Sequence, residues 1–320
     1  MRTAIISDIH GNYPALMKVL EDAHTEDVDN FIFLGDYYMD FPFANEVVAE
    51  LMSMENAYII KGNKENAMKR LREESPDDYS ALHYIVREFT QESYDYLNGL
   101  EDEMYIRLSP AALVYATHIS PIFGKSQGAT PRDKCCLNQI FRQAMLEKPF
   151  SHEEFLDDYH SFVNSDICVP YVQNIDANII LYGHNHLQSY AYCGDKLIIN
   201  PGACGLPFDF SNKAAYTILE ETRNGFNVIE RRVAYDIESL IHYTRASVLY
   251  EKNKIICELT FLDVLSGRNN QSLLFDIARE IATAKDEEGD FFNTPFSSST
   301  WDEAGERFIE QYGVQFPSCG

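Results

Sequence analysis

The chain has 320 residues, 26 basic against 50 acidic side chains, and a formal charge of −24. With 45% hydrophobic and 24% charged residues it has a globular composition, which excludes wholesale disorder. The acidic excess is spread along the chain with no basic block, so long nucleic acid is a poor partner, and no apolar run approaches the ~18 residues that would span a bilayer.

In chain order, eight short runs rich in β-branched and aromatic residues predict strands, at 3–7, 31–34, 57–60, 113–116, 178–182, 197–199, 215–219 and 226–229. Between the first two, Leu16, Val19, Leu20 and Ala23 recur at helical spacing, with Asn12 placed to cap the helix and Pro14 in its first turn. A second helix is expected at 45–52. The β-α-β-α-β order predicts a layered α/β fold. Two polar, helix-like stretches at about 65–100 and 132–165 exceed ordinary loop length and predict inserted helices over one end of the sheet. After about 235 the strand signal gives way to helical patterns at 239–250, 271–284 and 301–312, and 286–300 reads as an exposed linker. The expected division is therefore 1–234 and a mostly helical C-terminal extension, 235–320. The apolar residues Val248, Leu249, Ile255, Ile256, Leu259, Phe261 and Leu262 suit either a cap on the main fold or a contact between copies in a homo-oligomer. The seven cysteines form no CxxC pair and read as reduced thiols, which with the absence of a signal segment or membrane span points to a soluble, cytoplasmic protein.

Five of these strands run into residues that bind metals. They are followed by Asp8-Ile9-His10, Gly35-Asp36, Lys61-Gly62-Asn63, Thr117-His118 and Gly183-His184-Asn185-His186. Ligand sites in α/β sheets gather at the carboxyl ends of strands, so these side chains are expected to converge in one cleft. Carboxylate, imidazole and amide oxygen without thiolate suit divalent ions rather than a closed structural zinc site. Asp36 is placed to bridge two ions. The i, i+2 spacing of Asp8 with His10 and of His184 with His186 places each pair on one side of an extended segment. Two divalent ions against two carboxylates leave a positive site, an anion trap inside an acidic protein. The remaining histidines, His24, His83, His152, His160 and His242, lack such a context and are expected to be ordinary.

These blocks resemble the five motifs of the calcineurin-like metallophosphoesterases over residues 1–234. The segment Ile199-Asn200-Pro201-Gly202-Ala203 through Ala215-Tyr216 is similar to the closing part of the small bacterial branch, which holds phosphodiesterases and asymmetric dinucleoside-tetraphosphate hydrolases. The resemblance implies a four-layer αββα sandwich and two divalent metal ions, manganese or iron first, with zinc, nickel or magnesium as alternatives. One would sit on Asp8, His10, Asp36 and His186, the other on Asp36, Asn63, His118 and His184. Hydrolysis of a phosphodiester or nucleotide phosphoanhydride by in-line attack of a metal-activated hydroxide follows, with Asp36, Asn63, Lys64 and His118 carrying catalysis. A phosphomonoesterase acting on phosphoprotein or small molecules is the alternative, and a scaffold that binds metal without catalysis a further one. The expected partner is a small phosphorylated substrate such as a nucleotide or dinucleoside polyphosphate.

The chain departs from the family pattern in one place. It reads Gly62-Asn63-Lys64-Glu65 where many relatives have a histidine that protonates the leaving group. A positioned general acid is worth ~10²–10⁴-fold, and a lysine ammonium gives up its proton reluctantly. The expectation is a bias towards leaving groups that carry negative charge well. Tyr37, Tyr38, Phe41 and Phe43 are candidates to stack a base, 207–210 a second wall, and Lys125 and Arg132 candidates to neutralise a distal phosphate.

Overall fold

The computed structural model describes residues 1–73, 81–120, 152–166, 168–288 and 296–312. Strand alternation explains its layers. In β1 (Arg2–Ile6), Ala4 and Ile6 point to one face and Ile5 to the other, all fully buried, so both faces of the strand must be covered. β1 pairs in parallel with β2 (Asn30–Phe33), which pairs in parallel with β3 (Ala57–Ile59). On the other side β1 runs antiparallel to β9 (Ala214–Thr222), which is followed at the edge by β10 (Gly225–Val233). The sheet order is β10-β9-β1-β2-β3.

A second sheet has the order β4-β5-β6-β8-β7, formed by β4 (Glu103–Arg107), β5 (Leu113–Thr117), β6 (Ile179–Leu181), β7 (Gln188–Cys193) and β8 (Lys196–Pro201). Ile5, Ile32, Leu34 and Ile60 of the first sheet meet Val114, Ala116, Ile179, Leu181 and Ile199 of the second in a core between the sheets. The outer face of the first sheet is covered by α1 (Tyr13–Thr25) and α2 (Ala44–Ser53). The outer face of the second packs on α6 (His152–Val163) and α7 (Val169–Gln173). This is the four-layer αββα sandwich, two mixed sheets between helices. Asn12 caps α1 as expected, its Oδ1 accepting from the Ala15 N–H at 3.1 Å.

The described residues of the stretch 65–100 form three helices, α3 (Asn63–Glu73), α4 (Ala81–Glu88) and α5 (Gln91–Gly99). Most of the second stretch, together with Lys125 and Arg132, lies outside the described residues. From 237 to 288 and 298 to 312 the described elements are all helical: α8 (Ile237–Arg245), α9 (Val248–Lys252), α10 (Lys254–Ser266), α11 (Asn270–Ala284) and α12 (Ser298–Tyr312). Leu240, Ile241, Leu249, Cys257, Phe261 and Val264 join the core over the outer face of the first sheet, so α8, α9 and α10 pack as a cap. Leu259, Leu274, Ile277, Ile281 and Phe308 form a smaller core of their own. The helix expected at 239–250 is two helices, because Ser247 caps α9 through its Oγ. Among the described residues no helix is long and apolar enough to cross a membrane.

Candidate metal centre

The ends of β1, β2, β3, β5 and β6 face one another, and their loops are tied by backbone hydrogen bonds. The Asp8 N–H donates to the Gly35 carbonyl at 3.1 Å, His10 N–H to that of Asp36 at 2.9 Å, and Gly183 N–H to that of His118 at 2.9 Å. The Asp8 carboxylate accepts from the His184 N–H at 3.0 Å. At Gly62 a Cβ would stand 2.2 Å from Asp36 Oδ1, so only glycine lets the β3 loop approach.

The structure brings all seven expected ligand residues together. Asp8, His10 and His186 form one group, and Asp36, His118 and His184 a second, the ligand atoms of each lying within 4.8 Å of one another. Asp36 reaches both. Its Oδ2 lies 3.8 Å from His10 Nε2 and its Oδ1 3.4 Å from His118 Nε2. Asn63 Oδ1 completes the second group, 3.0 Å from His118 Nε2 and 2.9 Å from His184 Nδ1. Asp8, His10, Asp36, His118 and His186 are buried, whereas His184 is exposed and Asn63 half-buried, so the cleft opens on the side of the second group.

One expectation is corrected. The pairs Asp8 with His10 and His184 with His186 do not sit on extended segments, since all four residues have left-handed backbones, with φ of 55°, 55°, 70° and 58°. Asp36, at 58°, is a fifth. Curling at each residue, rather than strand alternation, aims the side chains; Asp8 and His10 share one group, whereas His184 and His186 go to different ones. A left-handed non-glycine residue costs on the order of 1–3 kcal/mol. The loop-to-loop hydrogen bonds hold this strain where the chemistry needs it.

Three imidazoles are locked in one tautomer by acceptors behind them. His10 Nδ1–H donates to Asp40 Oδ2 at 2.5 Å, His118 Nδ1–H to the Leu34 carbonyl at 2.6 Å, and His186 Nδ1–H to the Leu206 carbonyl at 2.5 Å. Each Nε2 therefore points into the cleft, the arrangement that orients metal-binding histidines. His10 Nε2 and Asp8 Oδ1 are buried there with no hydrogen-bond partner, and two such orphaned lone-pair atoms fit a cation between them.

The electrostatics agree. Burial alone would raise the Asp8 carboxyl, but His186, His10 and His118 hold it well below the usual carboxylate range. For Asp36 burial is likewise outweighed, by His118 and the Lys64 ammonium, and its pKa is lowered. Burial opposes charge on His10 and His118, yet Asp40 and Asp8 push His10 up to about 10, and Asp36 and Asp8 push His118 up to about 9. The inner side of the His184 ring is desolvated and His118 is a like charge beside it, so its pKa falls to about 4. Without ions, protons stand in for cations between the carboxylates.

Over residues 1–188 the sequence matches the family model of calcineurin-like phosphoesterases. The chain belongs to that family. It is a metal-dependent hydrolase of phosphoester bonds. The phosphoesterase is 28% identical over 236 residues to the uncharacterized protein MJ0912 of Methanocaldococcus jannaschii, an alignment covering 73% of this chain and 88% of the relative. Its fold is similar to the crystal structure of a metallophosphoesterase from Sphaerobacter thermophilus, with a TM-score of 0.56 and 22% identity, covering 83% of this chain and 99% of the other. It is also similar to the hypothetical protein PH1004 of Pyrococcus horikoshii, with a TM-score of 0.57 and 18% identity, covering 80% and 97%.

Lys64 of the phosphoesterase stands beside the second group. Its backbone N–H donates to Asp36 Oδ1 at 3.0 Å and its carbonyl accepts from the Tyr38 hydroxyl at 2.7 Å. The expected base-stacking role of the aromatic cluster is corrected: Tyr37, Tyr38 and Phe41 are fully buried core residues, because the β2 loop turns them under the site, and Phe43 packs edge-on against Tyr243. The second wall is closer to expectation, since Phe208 stacks on the His186 ring with centroids 4.4 Å apart. Two acids were not singled out by the sequence. The Glu65 carboxylate accepts from the N–H groups of Asp36, Tyr37 and Gly62 at 2.7–3.0 Å and so pins the β2 loop to the β3 loop. Asp40 buttresses His10. Glu65 stands in the same motif as Asn63, which is a usable signal; Asp40, an acid within an apolar run, is a weaker one.

Proposed function

We propose that Asp8, His10, Asp36, Asn63, His118, His184 and His186 hold two divalent ions, manganese or iron first, with Asp36 shared between them. The substrate is a small phosphodiester or a nucleotide phosphoanhydride. The observation that supports this best is the position of Asp36, with one carboxylate oxygen turned to each ligand group. Two ions in such a site would activate water and neutralise phosphate oxygens. The chain does the rest. The Nδ1 acceptors fix the imidazoles, Glu65 and the Lys64 N–H fix Asp36, and Phe208 borders the cleft beside His186. We further read residues 1–234 as the catalytic unit, 235–320 as its extension, and the cytoplasm as its compartment.

Lys64 determines the leaving-group preference. Lys64 is half-buried beside Asn63 and its backbone N–H holds Asp36 Oδ1, which brings a positive side chain to the second group at the sequence position where many relatives have a histidine acid. Aryl phosphates, nucleotides and phosphoanhydrides are therefore favoured over alkyl monoesters such as phosphoserine. The test compares bis-p-nitrophenyl phosphate with p-nitrophenyl phosphate under added Mn²⁺, with a chelator control. Metal-dependent turnover favouring the diester is expected. A monoester preference would move the assignment to a phosphomonoesterase, and no turnover of either would leave a metal-binding scaffold. Lys64→His is expected to raise turnover of the poorest leaving groups most, within the ~10²–10⁴-fold range of general acid catalysis. An equal gain on every substrate, or none, would refute the leaving-group argument.

A further inference from the structure

Asp40 has two carboxylate oxygens and is nearly inaccessible to solvent. Oδ2 holds the His10 imidazole; Oδ1 accepts from Gln271 Nε2 at 3.1 Å. Gln271 lies 231 residues further along the chain, in the first turn of α11. Its amide is itself anchored, since Nε2 also donates to Thr260 Oγ1 of α10 at 3.0 Å, and both residues are buried. A chain of hydrogen bonds thus runs from the C-terminal helices to the back of His10, a ligand residue of the first group.

A second strand of contact reaches the same group from the other side. The Phe210 N–H donates to the Gly267 carbonyl at 2.9 Å, directly after α10. The segment before it holds the Leu206 carbonyl that accepts from His186 and the Phe208 ring that covers it. Both histidines of the group formed with Asp8 are therefore backed by loops that the extension supports.

We propose that the C-terminal helical extension completes the metal centre, with Gln271 a positioning residue that orients His10 through Asp40. The chemistry suits the place. A neutral amide supplies the donor that Asp40 Oδ1 requires, without a cation that would compete with the ions. An apolar side chain would leave a buried carboxylate oxygen unpaired, which costs enough for Asp40 to turn away from His10. This inference rests on the two-ion reading above and adds the extension to it.

The test is Mn²⁺ titration of the full-length, metal-stripped protein, followed by calorimetry and by the electron paramagnetic signal of free Mn²⁺. The wild type is expected to take up two equivalents. Gln271→Met, close in volume, is expected to weaken one equivalent by roughly 10- to 100-fold and leave the other unchanged, the usual effect of removing a partner behind a metal ligand. In an Asp40→Asn background the same change is expected to add less than about twofold, because residues acting in series are not additive. Unchanged affinity in folded Gln271→Met, or full additivity with Asp40→Asn, would overturn the inference while leaving the two-ion reading intact. A wild type that binds no Mn²⁺ would overturn the two-ion reading and the inference with it. Should Gln271→Met not fold, Thr260→Val, which frees the other side of the amide, is expected to weaken the same equivalent. Failure of both to fold would assign the bridge to stability and overturn the inference.

Discussion

At the scale of single residues the site is a set of histidines whose protonation is controlled from behind. His10 and His118 have their Nδ1–H committed to Asp40 and to the Leu34 carbonyl, so the proton that titrates is the one on Nε2, facing the carboxylates. With pKa values pushed up to about 10 and about 9, both rings carry that proton at pH 7.5 in the metal-free protein. An ion can bind only when it leaves. Uptake of two ions at pH 7.5 is thus expected to release about two protons, and metal affinity is expected to rise as pH climbs towards 9. Calorimetry in buffers of different ionisation enthalpy measures the release directly. A binding heat independent of buffer would place the ions away from His10 and His118. Most of these residues were legible in the sequence, because each ligand follows an apolar run. Their left-handed backbones were not, since strain at Asp8 or His186 is imposed by other loops and leaves no local trace. Gln271 was invisible for the same reason: its partner is 231 residues away.

Legibility changes at the scale of elements. Central strands such as β1 and β6, buried on both faces, read as continuous apolar runs, and the sequence places them within a residue or two of their observed limits. Among the described residues the two strands it misses, β4 and β7, are the edges of the second sheet. In β4 the alternate residues Glu103, Tyr105 and Arg107 are exposed, and β7 opens on the polar Gln188 and Ser189, so neither shows the continuous apolar run of a central strand. The helix α10 is missed for the opposite reason. It is buried on several sides, with Leu259, Phe261 and Val264 inside, and shows no polar stripe to give a period. Its end is where the extension meets the site. Gly267 closes α10 at φ 65°, and a Cβ there would lie 2.4 Å from the Ser211 backbone nitrogen. Gly267→Ala is expected to lower stability by about 2 kcal/mol, combining a left-handed alanine with a backbone clash. Gly99→Ala is the control: it ends α5 with open space where the methyl would go, and is expected to be neutral or stabilising. Urea unfolding of the two variants separates them. Equal effects would mean that the Gly267 contact with the 207–210 segment contributes nothing.

Across the whole molecule two fields of opposite sign act on an anionic substrate. The chain carries −24 formal charges with no compensating block, so its long-range potential repels phosphates. Two ions held as proposed among the Asp8 and Asp36 carboxylates would reverse the sign locally. The ranges differ. Charges on the surface are screened beyond about 8 Å at 0.15 M ionic strength, whereas ions held among His10, His118 and His186 would act on a substrate already in contact, where salt intervenes little. Added salt therefore removes the repulsion before it weakens the attraction. The kcat/KM for a small anionic substrate is expected to rise about two- to threefold between 10 and 150 mM NaCl. The rise should be larger for dianionic p-nitrophenyl phosphate than for monoanionic bis-p-nitrophenyl phosphate, since the effect scales with substrate charge. A nuclease acting on long DNA behaves in the reverse sense, losing affinity steeply with salt as phosphate contacts release their counterions. A fall of kcat/KM with salt for both small substrates would show that the metal centre governs encounter as well as binding, and that the acidic surface is already screened from the mouth of the cleft.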